Sequence, residues 1–140
     1  EELEILKRMS KTKASYEVQS VLNPEDIVAA HKLIDQIYVD DRVSSYIVDL
    51  VMATREPEAY GVEAKHLIQY GGSPRASINL TLAAKANAFL SGRGYVTPQD
   101  VKDLAYDVLR HRVILTYEAE AEEISSVDVI DKILNEVQVP

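Results

Sequence analysis

"GGSPRASINLTLAAKANAFLSGRGYVTPQD" fills residues 71–100, and its punctuation decides the fold. Ser73 precedes Pro74, and Thr97 precedes Pro98. A Ser or Thr followed by Pro starts a helix: the hydroxyl can cap a first-turn N–H, and proline's fixed φ suits the first helical position. Between the two starts, "SGRG" (91–94) supplies a stop. Ile78, Leu82, Ala86 and Phe89 recur at helical spacing and are expected to face a core, with Leu82 buried. Ala83, Ala84, Ala86 and Ala88 are small enough to let a second helix approach closely. Asp100 stands where it can close a capping box with Thr97. Val101, Leu104, Ala105, Val108 and Leu109 make the next expected buried stripe, with Leu104 at its middle.

The same reading extends outward in both directions. Upstream, "NPED" (23–26) is another start signal, with Asn23 as cap, Pro24 first in the helix and acids in the first turn. Ile27, Ala30, His31, Ile34, Ile37 and Tyr38 follow it at helical spacing. Asp40 and Asp41 open a further helix whose Val43, Tyr46, Ile47, Leu50 and Val51 form a core-facing stripe; it ends near Arg55, before Pro57. "EELEILKRM" (1–9) reads as a helix whose beginning is missing. Residues 10–22 lack a helical face and read as a linker. Residues 56–73 form the longest irregular stretch, with a helical turn around Glu63–Gln69. Downstream, "VILTY" (113–117) is β-branched and reads as a short strand or an extended lead-out. Ser126 is expected to cap a last helix with Val127, Ile130, Ile133, Leu134 and Val137 inward. The expectation is an all-α bundle of five or six helices.

Bulk composition narrows the function. The chain has 140 residues, 46% of them hydrophobic, enough for one domain with a core. It has no apolar run of membrane-spanning length. It lacks an initiator Met and a signal segment, and reads as a piece of a longer chain. The absence of cysteine rules out disulfides and thiolate metal sites and fits a cytoplasmic protein. A net charge of −8 argues against a general nucleic-acid binder. Its acidic excess lies late, at Glu118, Glu120, Glu122, Glu123, Asp128, Asp131 and Glu136, and reads as solvated surface. His31, His66 and His111 lack ligand spacing; His31 reads as a hydrogen-bonded core residue. There is no glycine-rich phosphate loop. The basic residues of "RHR" (110–112) and Arg55 sit at helix C-termini, where cations compensate the dipole.

Arg75 does the opposite. It occupies the first turn of a helix, where a cation is disfavoured by about 0.3–1 kcal/mol when exposed. Backbone N–H groups left over in that turn make an anion site, and a guanidinium can add two hydrogen bonds to phosphate. Either Arg75 is an ordinary surface residue or an anion binds there.

Three segments carry a resemblance. "GSPRA" (72–76), "AAKANAFLSGRGYVTPQDV" (83–101) and "VLRHR" (108–112) resemble the lid domain of the MoxR family of AAA+ ATPases. "YIVDLVMATR" (46–55) resembles the helix that precedes it, "ILNEVQVP" (133–140) its C-terminal end, and "EELEILKRM" (1–9) the end of the nucleotide-binding core. The resemblance implies that residues 1–9 close the core, 10–22 link, and 23–140 form the lid. It implies that Arg75 is a sensor 2 arginine reaching ATP on the core, with Ser73 and Pro74 beside the nucleotide. ATP and Mg2+ would serve the full-length protein, and the phosphate loop, the acidic residues that hold Mg2+ and the arginine finger would lie on the core. Lid motion about residues 10–22 would couple hydrolysis to chaperone-like remodelling. A homo-oligomeric ring, with the hexamer as one size, and partners bearing von Willebrand A domains are further implications. Gly72 departs from the alanine the family often has there, which should loosen the loop slightly. The alternative is an autonomous helical adaptor with no nucleotide role, in which Arg75 is an ordinary contact.

Overall fold

The computed structural model describes residues 1–10 and 19–140. The expected linker, residues 10–22, falls largely outside the described residues. The described chain divides into two compact units, Glu1–Ala30 and His31–Pro140.

The first unit contains α1 (Glu2–Met9) and the start of α2 (Pro24–Asp35). The "NPED" start holds: the Asn23 N–H donates to the Asp26 carboxylate at 2.9 Å and the Asp26 N–H returns a bond to the Asn23 side chain at 3.0 Å. The apolar residues do not find a core, however. Leu3, Ile5, Leu6, Ile27 and Val28 are all exposed, and no residue of α2 is buried.

In the second unit, α3 (Asp41–Ala53) is capped by Asp40, whose carboxylate accepts the Arg42 N–H at 2.9 Å. Its expected stripe is buried as read, from Val43 to Val51. α4 (Pro74–Leu90) packs most extensively on α5 (Pro98–Leu109) and then on α3, while α7 (Ser126–Glu136) closes the bundle against α5 and α3. Leu50, Leu80, Leu109, Ile130 and Ile133 are fully buried where these helices meet.

Residues 56–73 are more ordered than the sequence suggests. Pro57–Tyr60 and Lys65–Leu67 are 3-10 turns, and Ile68–Tyr70 is strand β1. β1 pairs antiparallel with β2 (Ile114–Leu115), inside "VILTY". Thr116 then caps a short helix, α6 (Tyr117–Ala121), in what reads from sequence as acidic surface. Glu118, Glu120, Glu122 and Glu123 are exposed there, but Ala119 is buried.

Several assignments are corrected. The buried face of α4 is Ala76, Leu80, Ala84 and Ala88, not the stripe containing Ile78 and Leu82. Leu82 is 48% exposed. α4 carries apolar residues on two sides, and helical periodicity does not say which side meets the core. Leu104 is only partly buried, as is Val108; Val101, Ala105 and Leu109 hold the centre of the α5 stripe. His31 is exposed, because α2 turns no buried face to the core at that point. Tyr38 is exposed too, though Ile37 beside it is buried. Ser125, not Ser126, caps α7 and closes a box with Asp128. Val129 is buried in place of Val127.

Candidate functional site

The site centres on the first turn of α4, and its placement starts at the end of α3. Thr54 follows α3 and is fully buried. Its hydroxyl donates to the Val51 carbonyl at 2.6 Å and accepts the Gly72 N–H at 2.8 Å. One side chain thus ties the end of α3 to the turn that launches α4. Gly71 lies so close that a Cβ there would stand 2.2 Å from the Thr54 carbonyl oxygen. Only glycine allows that approach. Gly72 is less constrained: an added methyl would meet Ala76 Cβ at 3.2 Å and Val51 Cγ1 at 3.4 Å, tight contacts that would require a shift of a few tenths of an ångström. The Thr54 bond also restrains the extra freedom of glycine at this position.

From this anchored turn the chain enters α4. Ser73 occupies the cap position in extended backbone, but its side chain makes no capping hydrogen bond. Pro74 is first in the helix, the Ala76 N–H bonds to the Ser73 carbonyl at 2.7 Å, and no acid stands in the first turn. Ser73, Pro74 and Arg75 are exposed. Arg75 makes no hydrogen bond or ion pair with any described residue. A positive helix end, an unused cap hydroxyl and a free guanidinium face solvent together, with no carboxylate among them. This donor set fits an oxyanion such as phosphate.

Arg42, Arg55, Arg93, Arg110 and Arg112 are occupied, Arg42 by Asp40 at 3.1 Å. Arg55 donates to Met52 Sδ at 2.7 Å. Arg110 pairs with Asp107 at 2.9 Å on the surface. Arg112 contacts His111. Arg93 grips Asp100 with both nitrogens, at 2.8 and 2.5 Å. Asp100 also accepts from Asn87 at 2.9 Å, and from the Thr97 N–H and hydroxyl at 2.8 and 2.7 Å. Burial of Asp100, 2% exposed, would by itself raise its carboxyl. Arg93 and the Thr97 donors outweigh this and hold it well below the usual carboxylate range.

Thr54 and Arg93 are the residues that sequence reasoning missed. Thr54 stands inside "ATR" and Arg93 inside "SGRG", so both were in view without a role. Nothing local signals that Thr54 meets Gly72, eighteen residues away. Among the described residues, no group of three or more His, Asp or Glu is placed to hold a metal.

The sequence pattern of the AAA lid domain matches residues 62–133, more than half of the chain. The chain belongs to the AAA lid domain family. Relatives named MoxR are among those it matches. The chain is 40% identical to Chaperone MoxR1 of Mycobacterium tuberculosis (strain ATCC 25618 / H37Rv), over 100% of this chain and 37% of that protein. It is 41% identical over 76 residues to Protein MoxR of Paracoccus denitrificans, covering 51% of this chain and 22% of the relative. A crystal structure of a protein from Cytophaga hutchinsonii ATCC 33406, described as a candidate ATPase, superposes with a TM-score of 0.93 at 44% identity, over 99% of this chain and 42% of that chain. The chain therefore spans about two fifths of the length of the M. tuberculosis and C. hutchinsonii proteins. No helix among the described residues is long and apolar enough to cross a membrane.

Proposed function

We propose that this domain is the lid of an ATP-hydrolysing AAA+ machine, and that Arg75 is its sensor 2 arginine. The observation that carries the reading is the exposed, unpaired Arg75 at an uncapped helix start, held there by Thr54 and the Gly71–Gly72 turn. ATP, held with Mg2+ on a nucleotide-binding core elsewhere in the full-length protein, supplies the phosphoryl chemistry. Arg75 donates two hydrogen bonds to phosphate oxygens, and the first turn of α4, with Ser73 and Pro74 beside it, lends its positive end. Because α4 is tied through Thr54 to α3, a pull on Arg75 moves the bundle as a body. That motion, turning on residues 10–22, couples hydrolysis to chaperone-like remodelling of partner proteins. Residues 1–9 close the core, which agrees with the uncovered apolar residues Leu3, Ile5 and Leu6 on α1. The full-length protein works in the cytoplasm as a homo-oligomeric ring, a hexamer being one form, with von Willebrand A-domain proteins as partners.

The test is Arg75→Ala in the full-length protein. A charge-assisted bond to phosphate is worth about 1.5–3 kcal/mol, and each 1.36 kcal/mol of transition-state stabilisation is about tenfold in rate. ATP turnover should fall tenfold or more, with the melting temperature of the lid unchanged. Arg75→Lys should recover only part, because it lacks the planar fork. Normal turnover in Arg75→Ala would return Arg75 to an ordinary surface residue and favour a nucleotide-free adaptor.

A further inference from the structure

We infer that Thr54 is the positioning residue of Arg75: its buried hydroxyl sets the first turn of α4 so that the guanidinium meets phosphate in the geometry that turnover requires. This rests on the ATPase-lid reading above and adds a second, buried residue to the same site. Thr54 is 0% exposed, and its one hydroxyl makes two bonds at once. The proton is committed to the Val51 carbonyl at 2.6 Å, which leaves the oxygen to accept the Gly72 N–H at 2.8 Å. A threonine or serine hydroxyl can do both; valine, of the same shape, can do neither. The Thr54 methyl adds a restraint, because a β-branched side chain has few χ1 rotamers open to it.

The bond matters because little else sets the start of α4. Gly72 lies eighteen residues beyond Thr54, past two 3-10 turns and β1. The helix that follows is held to the core by Ala76 and Leu80, both fully buried. Apolar burial is non-directional. It fixes the depth of α4 and leaves the first turn free to slide or roll. A hydrogen bond is directional, and Gly72 is buried, so a turn that slid would leave its N–H unpaired. Gly71 tightens the same junction, packed where a Cβ would stand 2.2 Å from the Thr54 carbonyl oxygen. Val51, which takes the Thr54 proton, is fully buried in α3. The turn is thus referenced to the core of the bundle, and Arg75, exposed, follows three residues later. Misplacing a reacting group by about 1 Å can cost about a hundredfold in rate. Arg75 is the group that touches phosphate; Thr54 acts through it.

The experiment is steady-state ATP hydrolysis by the full-length protein, with kcat and KM separated, at a temperature where circular dichroism shows each variant folded. Thr54→Val should lower kcat about tenfold, no more than Arg75→Ala does, and leave the KM for ATP within about twofold, since a misaimed guanidinium weakens transition-state rather than ground-state binding. Thr54→Ser should recover most of the rate. In an Arg75→Ala background Thr54→Val should lower kcat no further, because its effect passes through Arg75. Ser125→Ala, which removes the cap of α7, is the control for lost stability alone and should keep normal kcat. Gly71→Ala disturbs the same junction and stands in for Thr54→Val if the latter does not fold, with the same losses expected. Normal kcat at the disturbed junction overturns the inference. So do losses that multiply in the double variant, because Thr54 then acts apart from Arg75. An equal loss in Ser125→Ala overturns it too, because the effect is then general loosening. Where Arg75→Ala is itself slow, each of these outcomes leaves the ATPase-lid reading standing. Normal turnover in Arg75→Ala removes that reading and the role of Thr54 with it.

Discussion

The starts of α4 and α5 share a plan and differ in one decisive respect. Each has a hydroxyl residue at the cap and proline first in the helix. At α5 the third helical position is Asp100, which closes a box with Thr97 and receives Arg93 from the preceding turn. At α4 the third position is the buried Ala76, and the cap hydroxyl of Ser73 is unused. α5 therefore carries its own anion, with a guanidinium, a hydroxyl, a side-chain amide and one backbone N–H arranged around a carboxylate. α4 presents a comparable set of donors to the outside. The sealed start is structural; the open one is where an external phosphate would find what Asp100 finds internally.

The largest expected effect comes from breaking the sealed start. Asp100→Ala should destabilise the domain by about 3–5 kcal/mol, because it leaves Arg93 facing a half-buried void without its partner. Chemical denaturation measures this. A double-mutant cycle with Arg93→Ala should show the pair of substitutions costing less than the sum of the singles. The acid limb gives an independent check. Asp100 titrates lower in the folded protein than in the unfolded chain, so its contribution is complete above the unfolded carboxylate pKa. It is lost as pH falls from about 4 toward the lower folded value. Asp100→Asn should flatten that acid limb. An unchanged limb would mean that the network holds less than its geometry implies.

A smaller effect comes from loosening what aims the open start. Thr54→Val keeps the shape but strips the acceptor from the buried Gly72 N–H, a cost of about 1–3 kcal/mol. Thr54→Ser should recover most of it. Gly71→Ala should be worse than Gly72→Ala, since its methyl would stand 2.2 Å from the Thr54 carbonyl oxygen, while the nearest atom to a methyl at 72 is the Ala76 Cβ at 3.2 Å. Thermal melting of the four variants orders them. If Gly71→Ala and Gly72→Ala melt alike, the close approach at Thr54 is not a constraint.

The smallest effect is of opposite sign. Arg75→Glu gives α4 the acidic first turn that α5 already has, and should raise stability by about 0.3–1 kcal/mol. In the full-length protein the same change should abolish the response to ATP. A variant that melts lower would show Arg75 making a structural contact and would end its comparison with the sealed start.

The local grammar of the bundle was legible in advance because its causes are local. Asn23, Thr97 and Asp40 act on N–H groups two or three residues away, so each cap can be read from a few letters. The α3 stripe is strongly one-sided, and Val43, Tyr46, Ile47, Leu50 and Val51 are buried as its spacing implies. α4 defeats the same method. Its outer stripe holds Ile78 and Leu82, bulkier than the alanines that face the core, so apolar weight points away from the side that is buried. His31 fails for a related reason: a plausible helical face does not by itself bring a neighbour to cover it.

Residue order alone determined where the helices start and stop and that Arg75 stands at the electrostatically wrong end of one. Capping, proline placement and the helix dipole act within a turn or two. Tertiary structure decided which side of α4 is inside and that β1 meets β2. It also decided that Thr54 anchors Gly72 and that Arg93 is spent on Asp100 while Arg75 is left free. Those outcomes depend on which distant segments become neighbours. The hydroxyl of Thr54 or the guanidinium of Arg93 acquires its role only when the chain has brought a partner within hydrogen-bond reach.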